Sequence, residues 1–126
     1  ISECTHDIQS GIIDIFVLHD NDVLIGELHV MYECDDENYA IRGRRAYMFA
    51  FRVREDFQNK GYGTYLLKTV LAVLRENGYF EFTVGVEDGN FRAIHMYQAL
   101  GFNELLLRKQ EEYQGDAYEY NLYLKR

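Results

Sequence analysis

A mixed α/β architecture is what this sequence predicts, in the order ββ-β-α-β-α-ββ. Short runs of branched and aromatic residues alternate with polar ones, the pattern of strands half buried on a sheet. One long stretch, Tyr65 to Asn77, instead carries apolar residues at helical spacing. Gly, Asn and Asp mark the junctions between these segments. With 126 residues and 48% apolar content, the chain can bury a real core and is expected to form one domain over residues 1–126.

Residues 11–18 (Gly-Ile-Ile-Asp-Ile-Phe-Val-Leu) read as a strand, and His19-Asp20-Asn21-Asp22 supplies turn chemistry. Val23 to Tyr32 resumes as a second strand, completing a hairpin. Glu33 to Arg45, an acidic run followed by Arg42-Gly43-Arg44-Arg45, reads as a solvated loop. Ala46 to Val53 is the third strand. Gly61 to Asn77 places Leu66, Leu67, Val70, Leu71, Val73 and Leu74 on one wide helical face, and Asn77-Gly78 is a stop signal. Phe80, Phe82, Val84 and Val86 alternate as a fourth strand. Asn90 can cap a short helix that runs through Leu100 and ends at Gly101. Leu105 to Arg108 and Tyr118 to Leu124 follow as strands around a turn at Glu111 to Asp116. Tyr118, Tyr120, Leu122 and Leu124 share one face.

Thirteen Lys and Arg against 21 Asp and Glu leave a net charge of -8. That balance argues against nucleic acid as a partner, since such binding rests on neutralising phosphates with cations. It suits solubility, and equally a cationic substrate. The apolar runs are too short to span a bilayer, so no membrane partner is expected. No basic, hydrophobic leader is read at the start, which is Ile1. Cys4 and Cys34 form no CxxC pair, and Asp35-Asp36-Glu37 blunts the nucleophilicity of Cys34. Both read as reduced thiols of a cytoplasmic protein. His29 and His95 have no second ligand at zinc spacing, so no metal is expected.

Gln58-Asn59-Lys60-Gly61-Tyr62-Gly63-Thr64 says most about function. Two glycines two residues apart stand between a buried strand and a helix. The first amides of a helix lack intrahelical acceptors, and the helix dipole adds partial positive charge there. Glycine lets backbone approach a phosphate with no side chain between. A phosphorylated ligand is therefore expected at Gly61 to Thr64. A Walker A loop is excluded because Lys60 precedes the first Gly, which disfavours an ATP-type nucleotide module. A dinucleotide fingerprint lacks its third Gly, because Thr64, Tyr65 and Leu66 follow Gly63. Alone, the two glycines also fit a tight turn that binds nothing.

The wider pattern is more specific. Gln58-x-x-Gly61-x-Gly63 resembles the Q/R-x-x-G-x-G/A signature of GNAT superfamily N-acetyltransferases. Asn90, Ala93, Tyr97 and Leu100-Gly101-Phe102 are similar to that family's second signature, N-x-x-A-x-x-x-Y-x-x-x-G-F. Both occur in the right order, and the resemblance covers about residues 11–126. It implies a mostly antiparallel central sheet with helices packed on its faces and two splayed central strands, here Ala46–Val53 and Phe80–Val86. It implies acetyl-coenzyme A as donor, with the pyrophosphate on the amides of Gln58, Asn59, Lys60, Gly61, Tyr62, Gly63 and Thr64. The pantetheine arm would pair with Phe51, Arg52 and Val53, as an added strand does. Asn90, Ala93 and Tyr97 complete the coenzyme site, and Lys60 and Arg54 add charge beside the phosphates.

The reaction implied is transfer of acetyl from the thioester to a primary amine, a step needing a neutral amine, a polarised carbonyl and a protonated leaving thiolate. Tyr97 matches the family residue that protonates the sulfur, and the amide of Val53 or a neighbour could polarise the carbonyl. No general base stands out. Ala46 to Val53 carries no carboxylate, and Glu27, His29, Glu81 and Glu87 read as surface or strand-edge groups. Family members also carry a strand and one or two helices ahead of the first hairpin, helping to wall the acceptor site. Only Ile1 to Ser10 precede that hairpin here, so the N-terminal helices are reduced. Either the chain is a trimmed or minimal version, or a second subunit of a homodimer completes the pocket. Asp35-Asp36-Glu37 and the overall charge point to a cationic amine acceptor, such as a polyamine, an aminoglycoside or a lysine-bearing peptide. The alternative reading is a non-catalytic domain that binds acetyl-coenzyme A as a sensor or structural ligand.

Overall fold

The structure is a computed structural model that describes residues 2–9 and 11–126, with backbone alone for 2–9, 111, 113 and 118. Strands β1 (Ser2–Gln9), β2 (Ile13–Asp20), β3 (Val23–Met31) and β4 (Arg45–Val53) precede helix α1 (Tyr62–Glu76). Then come β5 (Glu81–Glu87), helix α2 (Phe91–Ala99), β6 (Glu104–Tyr113) and β7 (Asp116–Lys125). One seven-stranded sheet results, ordered β1-β2-β3-β4-β5-β7-β6. Neighbours are antiparallel except β4 and β5, which run parallel. A parallel pair needs a crossover, and α1 supplies it.

The alternation predicted for the strands becomes the core face. Phe16 and Leu18 of β2, Leu28 and Val30 of β3, Ala46 and Met48 of β4, and Phe82, Val84 and Val86 of β5 are all buried there. Leu66, Leu67, Val70, Leu71 and Leu74 of α1 close over them, joined by Tyr97 of α2 and by Phe102. The second face carries Tyr47, Thr83, Leu122 and Leu124, since residues paired across strands share a side.

Several expectations are corrected. The sequence predicts no strand before residue 11, yet β1 pairs with β2 from Ser2↔Asp20 to Gln9↔Ile13. The reading of Cys4 falls outside the described side chains, whereas Cys34 is a free thiol. Residues 33–44 are no merely solvated loop. Their tip is exposed, but Tyr39 and Ala40 are buried on the second face. There the Thr83 hydroxyl donates to the Tyr39 carbonyl at 2.6 Å. The basic run that follows is drawn inward, because Arg44 and Arg45 both pair with Glu81, which is 1% exposed. Glu81 is therefore not the strand-edge group it resembled. Phe80 precedes β5 and is exposed, so it does not join the Phe82, Val84 and Val86 row. The last connection is a two-residue turn at Gln114-Gly115 with φ of 52° and 84°, and β6 and β7 are longer than predicted.

Candidate active site

β4 and β5 stop pairing in mid-sheet. Their register runs from Arg45↔Glu81 to Met48↔Val84 and ends, while β4 continues to Val53 and β5 to Glu87. The cause lies in β4. His29 faces Phe49 and Glu27 faces Arg52, so Ala50 and Phe51 together oppose Leu28. Ala50 takes the extra turn with φ of 50°. Such a bulge bends its strand, here away from β5. The gap has a volume of about 610 Å³ and is bordered by the stretch of β4 from Phe49 to Val53, which does not pair with β5.

Of the sequence-predicted residues, Phe51, Val53, Gln58, Asn59, Gly61, Gly63, Thr64, Asn90, Ala93 and Tyr97 line this gap. Arg52 does not: its guanidinium is directed to Glu27 at 3.1 Å and is well exposed. Nor does Lys60, whose ammonium stands 6.0 Å from the centre of the Phe57 ring. Arg54 flanks the same ring at 5.8 Å and pairs with Asp56. Tyr62 also packs edge-on to Phe57, with centroids 5.6 Å apart. The cation that does line the gap is Arg92, in the first turn of α2.

The helix entry is built to leave amides free. Gly61 is the N-cap residue of α1, at φ of 87°, and no side chain caps that end. The first intrahelical bond is Tyr65 N–H to the Gly61 carbonyl at 3.0 Å, so the amides of Tyr62, Gly63 and Thr64 have no intrahelical acceptor. A Cβ on Gly63 would stand 3.3 Å from the Phe51 ring and 3.5 Å from Val53 Cγ2, which explains a glycine inside the first turn. Gln58 secures the loop by donating from Nε2 to the Val53 carbonyl at 2.9 Å. Asn90 caps α2 by accepting from the Ala93 amide at 3.3 Å.

Tyr97 is 7% exposed, with its ring 6.4 Å from Phe51 and 5.7 Å from Phe102. Burial above all, and then the neighbouring Tyr47 phenol, push Tyr97 up to about 12. Among the described residues its hydroxyl has no hydrogen-bond partner, although the residue lines the gap. Sequence reasoning missed Phe49, Gly85 and Met96, which also face the gap, and set Glu87 aside as a surface or strand-edge group, although it lines the gap too. Glu87 is the single carboxylate among the described lining residues. Glu27 is occupied instead by Arg52 and by His29, at 3.8 Å.

Comparison with known proteins agrees with this geometry. A search of curated proteins finds the [Ribosomal protein bS18]-alanine N-acetyltransferase of Salmonella typhimurium, 36% identical over 64 residues. That match covers 51% of this chain but only 43% of the relative, so the chain matches less than half of it. Among solved structures, the ribosomal-protein-S18-alanine N-acetyltransferase of Escherichia coli superposes with a TM-score of 0.76 at 22% identity, covering 93% of this chain and 70% of that one. A GNAT family acetyltransferase of Elizabethkingia anophelis with acetyl-CoA bound gives a TM-score of 0.72 at 18% identity, covering 91% and 76%. The model of the acetyltransferase (GNAT) family matches residues 5–102, taking in both signatures and both sides of the splayed gap, and the chain belongs to that family.

Proposed function

We propose that this chain is an N-acetyltransferase moving the acetyl group of acetyl-coenzyme A to a primary amine, of a cationic small molecule or of a peptide. One observation carries the reading. The gap between β4 and β5 ends under the uncapped amides of Tyr62, Gly63 and Thr64, and the largely buried Tyr97, whose hydroxyl has no hydrogen-bond partner among the described residues, lines the same gap.

Each part suits one portion of the donor. The free amides at the positive end of α1 suit a diphosphate, and Arg92 adds charge beside them. The edge of β4 beyond Met48, which does not pair with β5, offers an extended arm its backbone partners, as an added strand would have. Beyond that arm lies Tyr97. The amine nitrogen attacks the thioester carbonyl, the C–N bond forms and the C–S bond breaks. Tyr97 gives its proton to the departing thiolate, and the proton lost by the amine leaves through water, with Glu87 the one carboxylate among the described lining residues. A free thiol at Cys34 fits a cytoplasmic setting.

The test is thiol release. Purified protein with acetyl-coenzyme A and a panel of amines should produce free coenzyme A for many turnovers. Binding of the donor, with no turnover across the panel, would instead favour a sensor that holds the coenzyme.

A further inference from the structure

Gly85 is exposed although its neighbours Val84 and Val86 are buried. It is the first β5 residue beyond the pairing with β4, so the gap reaches the backbone of the strand there. A Cβ at that position would lie 3.4 Å from the Tyr47 hydroxyl and 3.6 Å from the Tyr120 ring. Those two phenols stand behind Gly85, outside the gap, and leave bare backbone as its floor. Successive side chains of a strand alternate. Val86 therefore turns to the core with Tyr97, and Glu87 turns to the second face, paired across strands with Tyr120. Tyr97 and Glu87 border the one gap from opposite faces of the sheet.

The charges of the gap are the unneutralised ones. Glu87 is its one carboxylate and Arg92 its one cation among the described lining residues. Both are exposed, and among the described residues the side chain of neither makes a hydrogen bond or an ion pair, with the other or elsewhere. The charges beside them that do pair, Glu27 with Arg52 and Arg54 with Asp56, lie outside the gap. Opposite charges that line one cavity without meeting each remain available to a ligand charge, and together they suit an anionic and a cationic partner held at once. The backbone around Glu87 is fixed: its carbonyl accepts from the Asn90 amide at 3.1 Å, and the next amide, of Asp88, donates to the Glu119 carbonyl at 2.7 Å. A carboxylate on a fixed strand end keeps its place in the cavity.

We propose that Glu87 is the group that receives the acceptor: it holds the ammonium of a cationic primary amine on the face of the sheet opposite Tyr97 and relays its proton to water. The inference rests on the transferase reading and adds the residue that selects the acceptor. The bound ammonium gives one proton to the Glu87 carboxylate, which is open to solvent and passes it on. The neutral nitrogen then bonds to the thioester carbon and the C–S bond breaks. The thiolate takes the Tyr97 proton, and the second nitrogen proton returns to that phenol through water, so one proton is released for each acetyl transferred. An amine that is neutral in solution offers Glu87 no ammonium to hold.

Spermidine, cationic at neutral pH, and aniline, neutral there, separate the cases. Glu87→Gln keeps the size of the side chain and removes its charge. It should raise the KM for spermidine about fivefold at low salt and less at high salt, the scale of an exposed ion pair. Glu87→Asp should regain part of that loss, and the KM for aniline should shift far less. Arg92→Gln should do the reverse, raising the KM for acetyl-coenzyme A by a similar factor and that for spermidine little. Equal shifts for the two amines in Glu87→Gln, or none for either, would overturn the proposal. Calorimetry of spermidine with coenzyme-loaded protein needs no turnover. Weaker binding to Glu87→Gln, with no amine acetylated by the parent, would uphold the amine site and remove the transferase reading. Equal binding to variant and parent, or none to either, would overturn the amine site, while thiol release still decides the transferase.

Discussion

Gly63 of α1 and Phe51 of β4 meet so closely that one added carbon at position 63 would lie 3.3 Å from the Phe51 ring. That contact seats the helix start directly on the free edge of β4. The amides meant for a diphosphate and the strand edge meant for an extended arm thereby become one surface. Gly63→Ala should displace the helix start by a few tenths of an ångström and weaken acetyl-coenzyme A binding about tenfold. Gly63→Glu, which adds bulk and negative charge, should abolish it. Gly61→Ala is the control: its Cβ would meet nothing within 4 Å, but φ is 87°. It should cost stability, about 1 kcal/mol, more than affinity. Calorimetric titration and thermal unfolding of the three variants separate these effects, and normal donor affinity in Gly63→Glu would move the site elsewhere.

Glu81 anchors a different part of the fold. Its carboxylate is 1% exposed and accepts from Arg45 at 3.0 Å, Arg44 at 3.1 Å and Arg126 at 2.7 Å. Arg45 is itself buried, so Glu81→Gln would strand a cation. The expected loss is about 3 kcal/mol, at the low end for a broken buried pair because solvent reaches Arg44 and Arg126. Desolvation opposes ionisation of Glu81, but the Arg44 and Arg45 hydrogen bonds outweigh it and hold the carboxyl below its ordinary value of 4.5. A depressed carboxyl stabilises the fold above the unfolded value and loses that contribution as pH falls below 4.5 through the folded value. Acid unfolding of the parent should therefore begin in that window. The Gln variant should have lost this pH dependence, as a melting series from pH 6 to pH 3 would reveal.

Much of this was legible in residue pattern because local spacing encodes local structure. The face Leu66, Leu67, Val70, Leu71 and Leu74, the stop at Asn77-Gly78 and the Asn90 cap all stand where periodicity and capping put them. The gap was reachable only through the family signatures. Its physical cause, the extra residue at Ala50, has no composition cue, since alanine at φ of 50° is imposed by pairing with β3. The inward packing of residues 33–44 was hidden for a similar reason. Its charges read as solvated, but Arg44 and Arg45 find a buried partner 37 and 36 residues away in sequence. Long-range pairing of this kind leaves no periodic trace. The phosphate-loop cations failed similarly, because Arg54 and Lys60 settle on the Phe57 ring while Arg92, unmarked by any motif, lines the gap.

Tyr32 and Asp14 form a second buried polar pair. Asp14 is 7% exposed and accepts from the Tyr32 hydroxyl at 2.5 Å, while its other oxygen has no partner among the described residues. Burial first, then that hydrogen bond, raises the Tyr32 phenol above its ordinary range. Tyr32→Phe should cost about 1–3 kcal/mol, the penalty for leaving a buried acceptor unmet. Adding Asp14→Asn to the variant should restore part of that loss, since a neutral amide is cheaper to bury than a carboxylate. Denaturant unfolding of both single variants and the double variant closes the cycle. Full additivity would show that the hydrogen bond contributes nothing.

Tyr97→Phe tests the chemistry. The ring packing against Phe51 and Phe102 is kept, and only the proton donor is lost. Turnover should fall about 10²-fold, the lower range for removing a general acid, with little change in KM for acetyl-coenzyme A. Because burial and then Tyr47 push this phenol up to about 12, it stays protonated from pH 6 to pH 10. The parent rate should therefore show no alkaline loss from Tyr97 below about pH 11. The same shift has a stability sign. Between pH 10 and pH 12 the unfolded phenol ionises and the folded one does not, so the unfolded state binds fewer protons and stability falls as pH rises. Tyr97→Phe should flatten part of that fall. Unchanged turnover in Tyr97→Phe, with the alkaline melting curve shifted as expected, would leave Tyr97 a packing residue and pass the donor role to water.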